Sequence, residues 1–115
     1  MNICIIGTGY VGLVTGACFA EMGTTVTCVD TDVGKIEGLK NGVIPIHEPG
    51  LDAIAVNNFK EGRLRFTTSL PEAMKDSSVF FIAVGTPPNG DGSADLRHVL
   101  EAARELGRHL DRYSV

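Results

Sequence analysis

The chain has 115 residues, 43% of them apolar, and a net charge of −4. That length suits one domain with a sizeable core, and no apolar run approaches the roughly 20 residues of a membrane-spanning helix. The acidic balance, without clustered Lys or Arg, argues against nucleic acid and acidic membranes as partners but not against a dinucleotide.

The first predicted element is Ile3-Cys4-Ile5-Ile6, a short β-favouring run of the kind found in parallel strands covered on both faces. It leads directly into Gly7-Thr8-Gly9-Tyr10-Val11-Gly12, a G-x-G-x-x-G turn. Gly7 lets the chain turn sharply off the strand. Gly9, without a Cβ, lets a pyrophosphate approach the backbone, and Gly12 lets the following helix sit tight against the sheet. The first-turn N–H groups and the positive end of the helix dipole then face the phosphates.

That helix is expected over 10–22, stopped by Gly23, with Gly12, Gly16 and Ala20 as a stripe of small residues. A second strand covers 25–29 and ends at Asp30, about 18 residues beyond Gly12, where a carboxylate accepts the ribose hydroxyls of a dinucleotide. A solvated aspartate ending a strand is the plain alternative. Thr31 and Asp32 offer no arginine for a 2′-phosphate, so the pattern favours NAD over NADP. Asp32 is placed to cap a helix over 33–40, from which Lys35 reaches the ribose or a phosphate.

An irregular stretch follows, with Ile44 to Gly50 extended before a helix over 51–59 that stops near Gly62. His47 and Glu48 invite a catalytic reading, but loop geometry before the helix start explains them equally well. A strand over 64–67 precedes a short helix with Pro71 in its first turn. The run over 78–84 carries the strongest central-strand signal and ends in Gly85-Thr86-Pro87-Pro88. Thr86 then lies at the carboxyl end of that strand, on the edge where open α/β sheets bind ligands. The last helix is expected over 94–110, with Leu96, Val99, Leu100, Ala103, Leu106 and Leu110 along its apolar face and His98 and His109 solvated.

Cys4, Cys18 and Cys28 all fall within apolar patterns without metal-ligand or C-x-x-C spacing. Buried free thiols in a reducing, cytoplasmic compartment are the expectation. The N-terminus lacks the basic flank and cleavage site of a secretory signal. The element order describes an α/β fold: a Rossmann-type, doubly wound, mainly parallel sheet with helices on both faces. It stops without an obvious final strand, so an open sheet edge and a homo-oligomer are among the expectations. No metal cluster and no nucleophile–base arrangement is legible.

The segments Ile3 to Leu13, Val29 to Asp32, Pro45 to Leu51, Ala83 to Pro87 and Ala94 to Leu96 together resemble the N-terminal, NAD-binding domain of the nucleotide-sugar dehydrogenases. The likeness covers essentially the whole chain, and Gly-Tyr-Val-Gly-Leu with Glu-Pro-Gly-Leu is far more diagnostic than the glycines alone. The resemblance implies NAD as cofactor, held by Gly7, Gly9, Tyr10, Val11, Gly12, Asp30, Lys35 and Thr86. It also implies oxidation of a sugar C6 hydroxyl to a carboxylate in two hydride transfers through thiohemiacetal and thioester stages. UDP-glucose is the favoured substrate, with GDP-mannose or a UDP-aminosugar as the alternative; a non-catalytic NAD-binding module is the reading from another class. The family's nucleophilic cysteine, base and sugar contacts match nothing before Val115. Residues 1–115 are therefore expected to be an N-terminal NAD-binding piece, without catalytic residues of its own.

Overall fold

A computed structural model describes residues 1–111 and 113–115. Four parallel strands form the sheet: β1 (Asn2–Ile6), β2 (Thr25–Val29), β3 (Leu64–Thr67) and β4 (Val79–Ile82), in the order β3-β2-β1-β4. β2 and β3 are laid down successively on one side of β1, and the chain then crosses to the other side to place β4.

Alternation along β1 divides the core in two. Ile3 and Ile5 pack on one face with Leu13, Ala17 and Ala20 of helix α1 (Tyr10–Glu21), Ile36 and Leu39 of α2 (Val33–Lys40), and Leu51 and Ala55 of α3 (Leu51–Lys60). Cys4 and Ile6 pack on the other with Ala73 and Met74 of α4 (Leu70–Met74) and Ala102 and Leu106 of α5 (Arg97–His109). A strand whose successive side chains are both buried needs helices on both faces, which is why β1 reads as an unbroken apolar run. No helix among the described residues is long and apolar enough to cross a membrane.

Local signals set most helix ends. Asp32 caps α2 by accepting the Lys35 N–H at 3.1 Å, and Ser69 caps α4 by accepting the Glu72 N–H at 3.3 Å. At the far end of α1, the Gly23 N–H donates to the Ala20 carbonyl at 2.9 Å. Arg63 ties this end to α3: its Nε donates to the Ala20 carbonyl and to Oδ1 of the buried Asn58.

Three expectations need correcting. β4 is shorter than 78–84 and lies at the edge of the sheet, with Phe81 and Ile82 38% and 37% exposed. Val79 and Phe80 are half-buried against the two sides of the core, so the apolar run of β4 reflects faces that are only partly covered. On its outer side Val115 pairs with it, donating to the Ser78 carbonyl at 2.8 Å and accepting from the Phe80 N–H at 2.6 Å. The last helix begins at Arg97, because residues 87–95 fold back on themselves. There the Asp95 N–H donates to the Pro87 carbonyl, and the Asp95 carboxylate receives the Arg97 N–H and guanidinium. α5 is also turned slightly about its axis: Leu106 of the expected face is buried, together with Ala102, while Leu96, Leu100 and Leu110 of that face are about half exposed. Lastly, Cys18 is exposed on the outer side of α1, whereas Cys4 and Cys28 are buried. Burial pushes both buried thiols up to about 12, so neither is a thiolate at neutral pH.

Candidate dinucleotide site

β1 is flanked by β2 on one side and β4 on the other, and the loops leaving the carboxyl ends of β1 and β4 lead to helices on opposite faces of the sheet. An open crevice of about 1290 Å³ lies there, lined by residues 6–11, Val29 to Thr31, Lys35, residues 68–71 and residues 82–87. This is the switch point at which open α/β sheets bind ligands.

The three glycines answer to three different demands. Gly7 has φ +109, a conformation that L side chains rarely adopt, and a Cβ there would sit 2.5 Å from the Ala83 carbonyl oxygen. It therefore sets both the turn and the close approach of the β1 and β4 loops. Gly12 is required by packing: a Cβ would lie 2.0 Å from the Gly7 carbonyl oxygen. Gly9 differs from both. Its φ of −74 suits any residue, and a Cβ there would meet nothing within 4 Å. Gly9 is the N-cap of α1, a position that favours glycine over alanine, and its open side leaves room for a ligand seated over the turn. No side chain caps the first turn of α1, whose N–H groups have no intrahelical partners and suit a pyrophosphate.

Asp30 follows β2 and stands beside this turn. Its Oδ2 accepts from the Thr8 N–H at 3.0 Å and the Thr8 hydroxyl at 2.6 Å, and its Oδ1 accepts from the Asp32 N–H at 3.0 Å. Lys35 Nζ lies 3.9 Å from Oδ2. Partial burial pushes the carboxyl upward, but the hydrogen bonds from Thr8 and Asp32 and the charge of Lys35 outweigh it, holding Asp30 below the usual carboxylate range. The group is an anion with fixed orientation.

The expected residues thus gather in one place: Gly7, Gly9, Tyr10, Val11, Asp30, Lys35 and Thr86 all line the crevice, with Gly12 directly beneath the turn. Tyr10 and Val11 are exposed at 55% and 64%, large apolar surfaces at the mouth rather than parts of the core. The negative charge of Glu48 raises the Tyr10 phenol above its usual range. His47 and Glu48 line a separate shallow cavity with Asp52, so the structure does not bring His47 into the main crevice.

Sequence reasoning missed the opposite wall. His98, Glu101 and Glu105 of α5 line the crevice, as do Thr68, Ser69 and Pro71 ahead of and within α4. They reach it through the topology that lays α4 and α5 on one face, and no local motif marks them. The buried hydroxyl of Thr8 also went unread, although its position between two glycines of the turn was a usable signal. Among the described residues no group of His, Cys, Asp or Glu is placed to hold a metal ion.

The sequence profile of the UDP-glucose/GDP-mannose dehydrogenase family, NAD binding domain, matches residues 1–115. UDP-glucose 6-dehydrogenase TuaD of Bacillus subtilis is 53% identical over 114 residues, covering 99% of this chain and 25% of that protein. Among solved structures, a UDP-glucose dehydrogenase from the hyperthermophilic archaeon Pyrobaculum islandicum superposes with a TM-score of 0.88 at 44% identity. It covers 94% of this chain and 25% of that one. A ternary complex of GDP-mannose dehydrogenase from Pseudomonas aeruginosa gives a TM-score of 0.91 at 41% identity, covering 95% of this chain and 25% of that one. The chain thus spans about a quarter of the length of the relatives it matches. With the glycine turn, the strand-end acid and the switch-point crevice in one parallel sheet, the chain belongs to the UDP-glucose/GDP-mannose dehydrogenase family and corresponds to its NAD-binding domain.

Proposed function

We propose that residues 1–115 form one NAD-binding domain of a nucleotide-sugar 6-dehydrogenase and that UDP-glucose is the substrate of the whole protein. The observation that carries the cofactor reading is the gathering of the glycine turn, Asp30, Lys35 and Thr86 around one crevice, with Gly9 open to a closely seated ligand. In this reading the α1 amides and the backbone of Gly7 and Gly9 hold the pyrophosphate, while Asp30 accepts the adenosine ribose. Tyr10 and Val11 shield the cofactor at the mouth of the crevice. Lys35 offsets charge near the ribose, and Thr86 faces the nicotinamide half.

Bound NAD supplies the hydride acceptor; the chain's own residues bind and orient it. Two hydride transfers would take the sugar C6 alcohol to a carboxylate, giving UDP-glucuronate. The groups that handle the sugar are proposed to lie outside this chain, which spans a quarter of its relatives. Its cysteines support that view, because Cys4 and Cys28 are buried thiols and Cys18 does not line the crevice. UDP-glucose is favoured by the TuaD likeness. The GDP-mannose dehydrogenase superposes just as well, so GDP-mannose is the second reading and a UDP-aminosugar the third. The free thiols suit a cytoplasmic setting.

Calorimetric titration tests the cofactor reading. Asp30→Ala should weaken NAD by roughly 10- to 100-fold, the worth of a hydrogen bond to a charged group, and narrow the preference over NADP. Equal NAD and NADP affinities in the unaltered protein would sink the proposed role of Asp30. NADH formation with UDP-glucose, GDP-mannose and a UDP-aminosugar in turn identifies the substrate.

A further inference from the structure

Thr8 is a polar residue with 1% of its surface exposed, placed between the first two glycines of the turn. A hydroxyl so deeply buried needs a partner, and its partner is Oδ2 of Asp30 at 2.6 Å, joined by the Thr8 N–H at 3.0 Å. A carboxylate offers about four acceptor positions. Thr8 takes two through its N–H and hydroxyl, and the Asp32 N–H takes a third on Oδ1. One position, on Oδ1, is left for a ligand. Without the hydroxyl, the carboxylate would keep one backbone donor on each oxygen and a lysine nitrogen 3.9 Å away.

We infer that Thr8 is the positioning residue for Asp30: its hydroxyl clamps Oδ2 so that the open position on Oδ1 is presented to a ribose hydroxyl. The inference rests on the reading of Asp30 as the ribose acceptor. It differs from the backbone role that the glycine turn performs, because it depends on the side chain at position 8. Apolar residues of similar size would fill the same space without the clamp, and serine would keep the clamp without the methyl group.

The test is NAD titration of the purified protein with Thr8→Val, Thr8→Ala, Thr8→Ser, Asp30→Ala and the Thr8→Val/Asp30→Ala pair, each checked for an intact fold by its melting curve. Thr8→Val and Thr8→Ala should weaken NAD roughly tenfold, while Thr8→Ser stays within about threefold of the unaltered protein. The double variant should bind within about twofold of Asp30→Ala alone, because Thr8 acts only through that carboxylate. A purely structural role for Thr8 would instead add its loss to that of Asp30→Ala. Additive losses, or unchanged affinity in folded Thr8→Val and Thr8→Ala beside a weakened Asp30→Ala, would overturn the clamp and leave the ribose reading standing. Unchanged affinity in Asp30→Ala itself would overturn the ribose reading, and the clamp with it. Should Thr8→Val misfold, Thr8→Ala and its own pairing with Asp30→Ala decide the matter.

Discussion

A methyl group added at Gly12 would lie 2.0 Å from the Gly7 carbonyl oxygen, whereas one added at Gly9 would touch nothing within 4 Å. Stability and binding should therefore separate between two residues of one motif. Gly12→Ala should destabilise by about 1–3 kcal/mol, the usual cost of overpacking. Gly9→Ala should change stability by about 1 kcal/mol or less, yet weaken NAD measurably. Melting curves paired with NAD titrations check both, and a Gly9→Ala variant binding NAD normally would remove the strongest sign of a ligand there. At this scale the site was half legible. The glycines, Asp30, Lys35 and Thr86 follow from spacing along the chain. Thr8 and the α5 wall of His98, Glu101 and Glu105 do not, because their roles arise from contacts between segments far apart in sequence.

Helices taught a different lesson. α1, α2 and α3 lie within one or two residues of their expected bounds, because caps and glycine stops are local chemistry. α5 was expected from residue 94, begins at Arg97, and is turned slightly about its axis. Its sequence offers two apolar stripes, and periodicity does not say which one meets the sheet. The structure chooses Ala102 and Leu106, the latter 8% exposed, and leaves Leu100 50% exposed. Leu106→Ala should cost about 2–5 kcal/mol, while Leu100→Ala should change the stability of this chain by about 0.5 kcal/mol or less. Urea melts of the two variants test the orientation, and comparable losses at both positions would mean that α5 docks as the periodicity first suggested, with Leu100 and Leu106 buried together. β4 is the matching case among strands: its apolar composition gave no information on its place in the sheet, and Phe81 and Ile82 stay exposed.

Across the whole molecule, the acids bear on stability as well as binding. The folded chain holds Asp30 below the usual carboxylate range, so the unfolded chain takes up its proton at higher pH than the folded one. The resulting stabilisation is fully present above the unfolded value of about 3.9 and is lost as pH falls through the folded-state value. Asp30→Asn should therefore flatten the acid side of the stability curve in urea midpoints taken between about pH 6 and about pH 3, and an unchanged slope would count against that linkage.

The strand order also has a consequence in time. β1 pairs with β4, and about 70 residues separate Ile6 from Val79. On a ribosome adding about 5–20 residues per second, roughly 4–15 s pass between the emergence of the two strands. Over that interval β1 has β2 on one side and bare backbone on the other, the condition in which apolar strands invite wrong partners. Gly7 likewise waits for the Ala83 carbonyl that will press against it. The crevice between the two loops thus cannot exist until Ala83 has been made, about 70 residues after the motif that marks it.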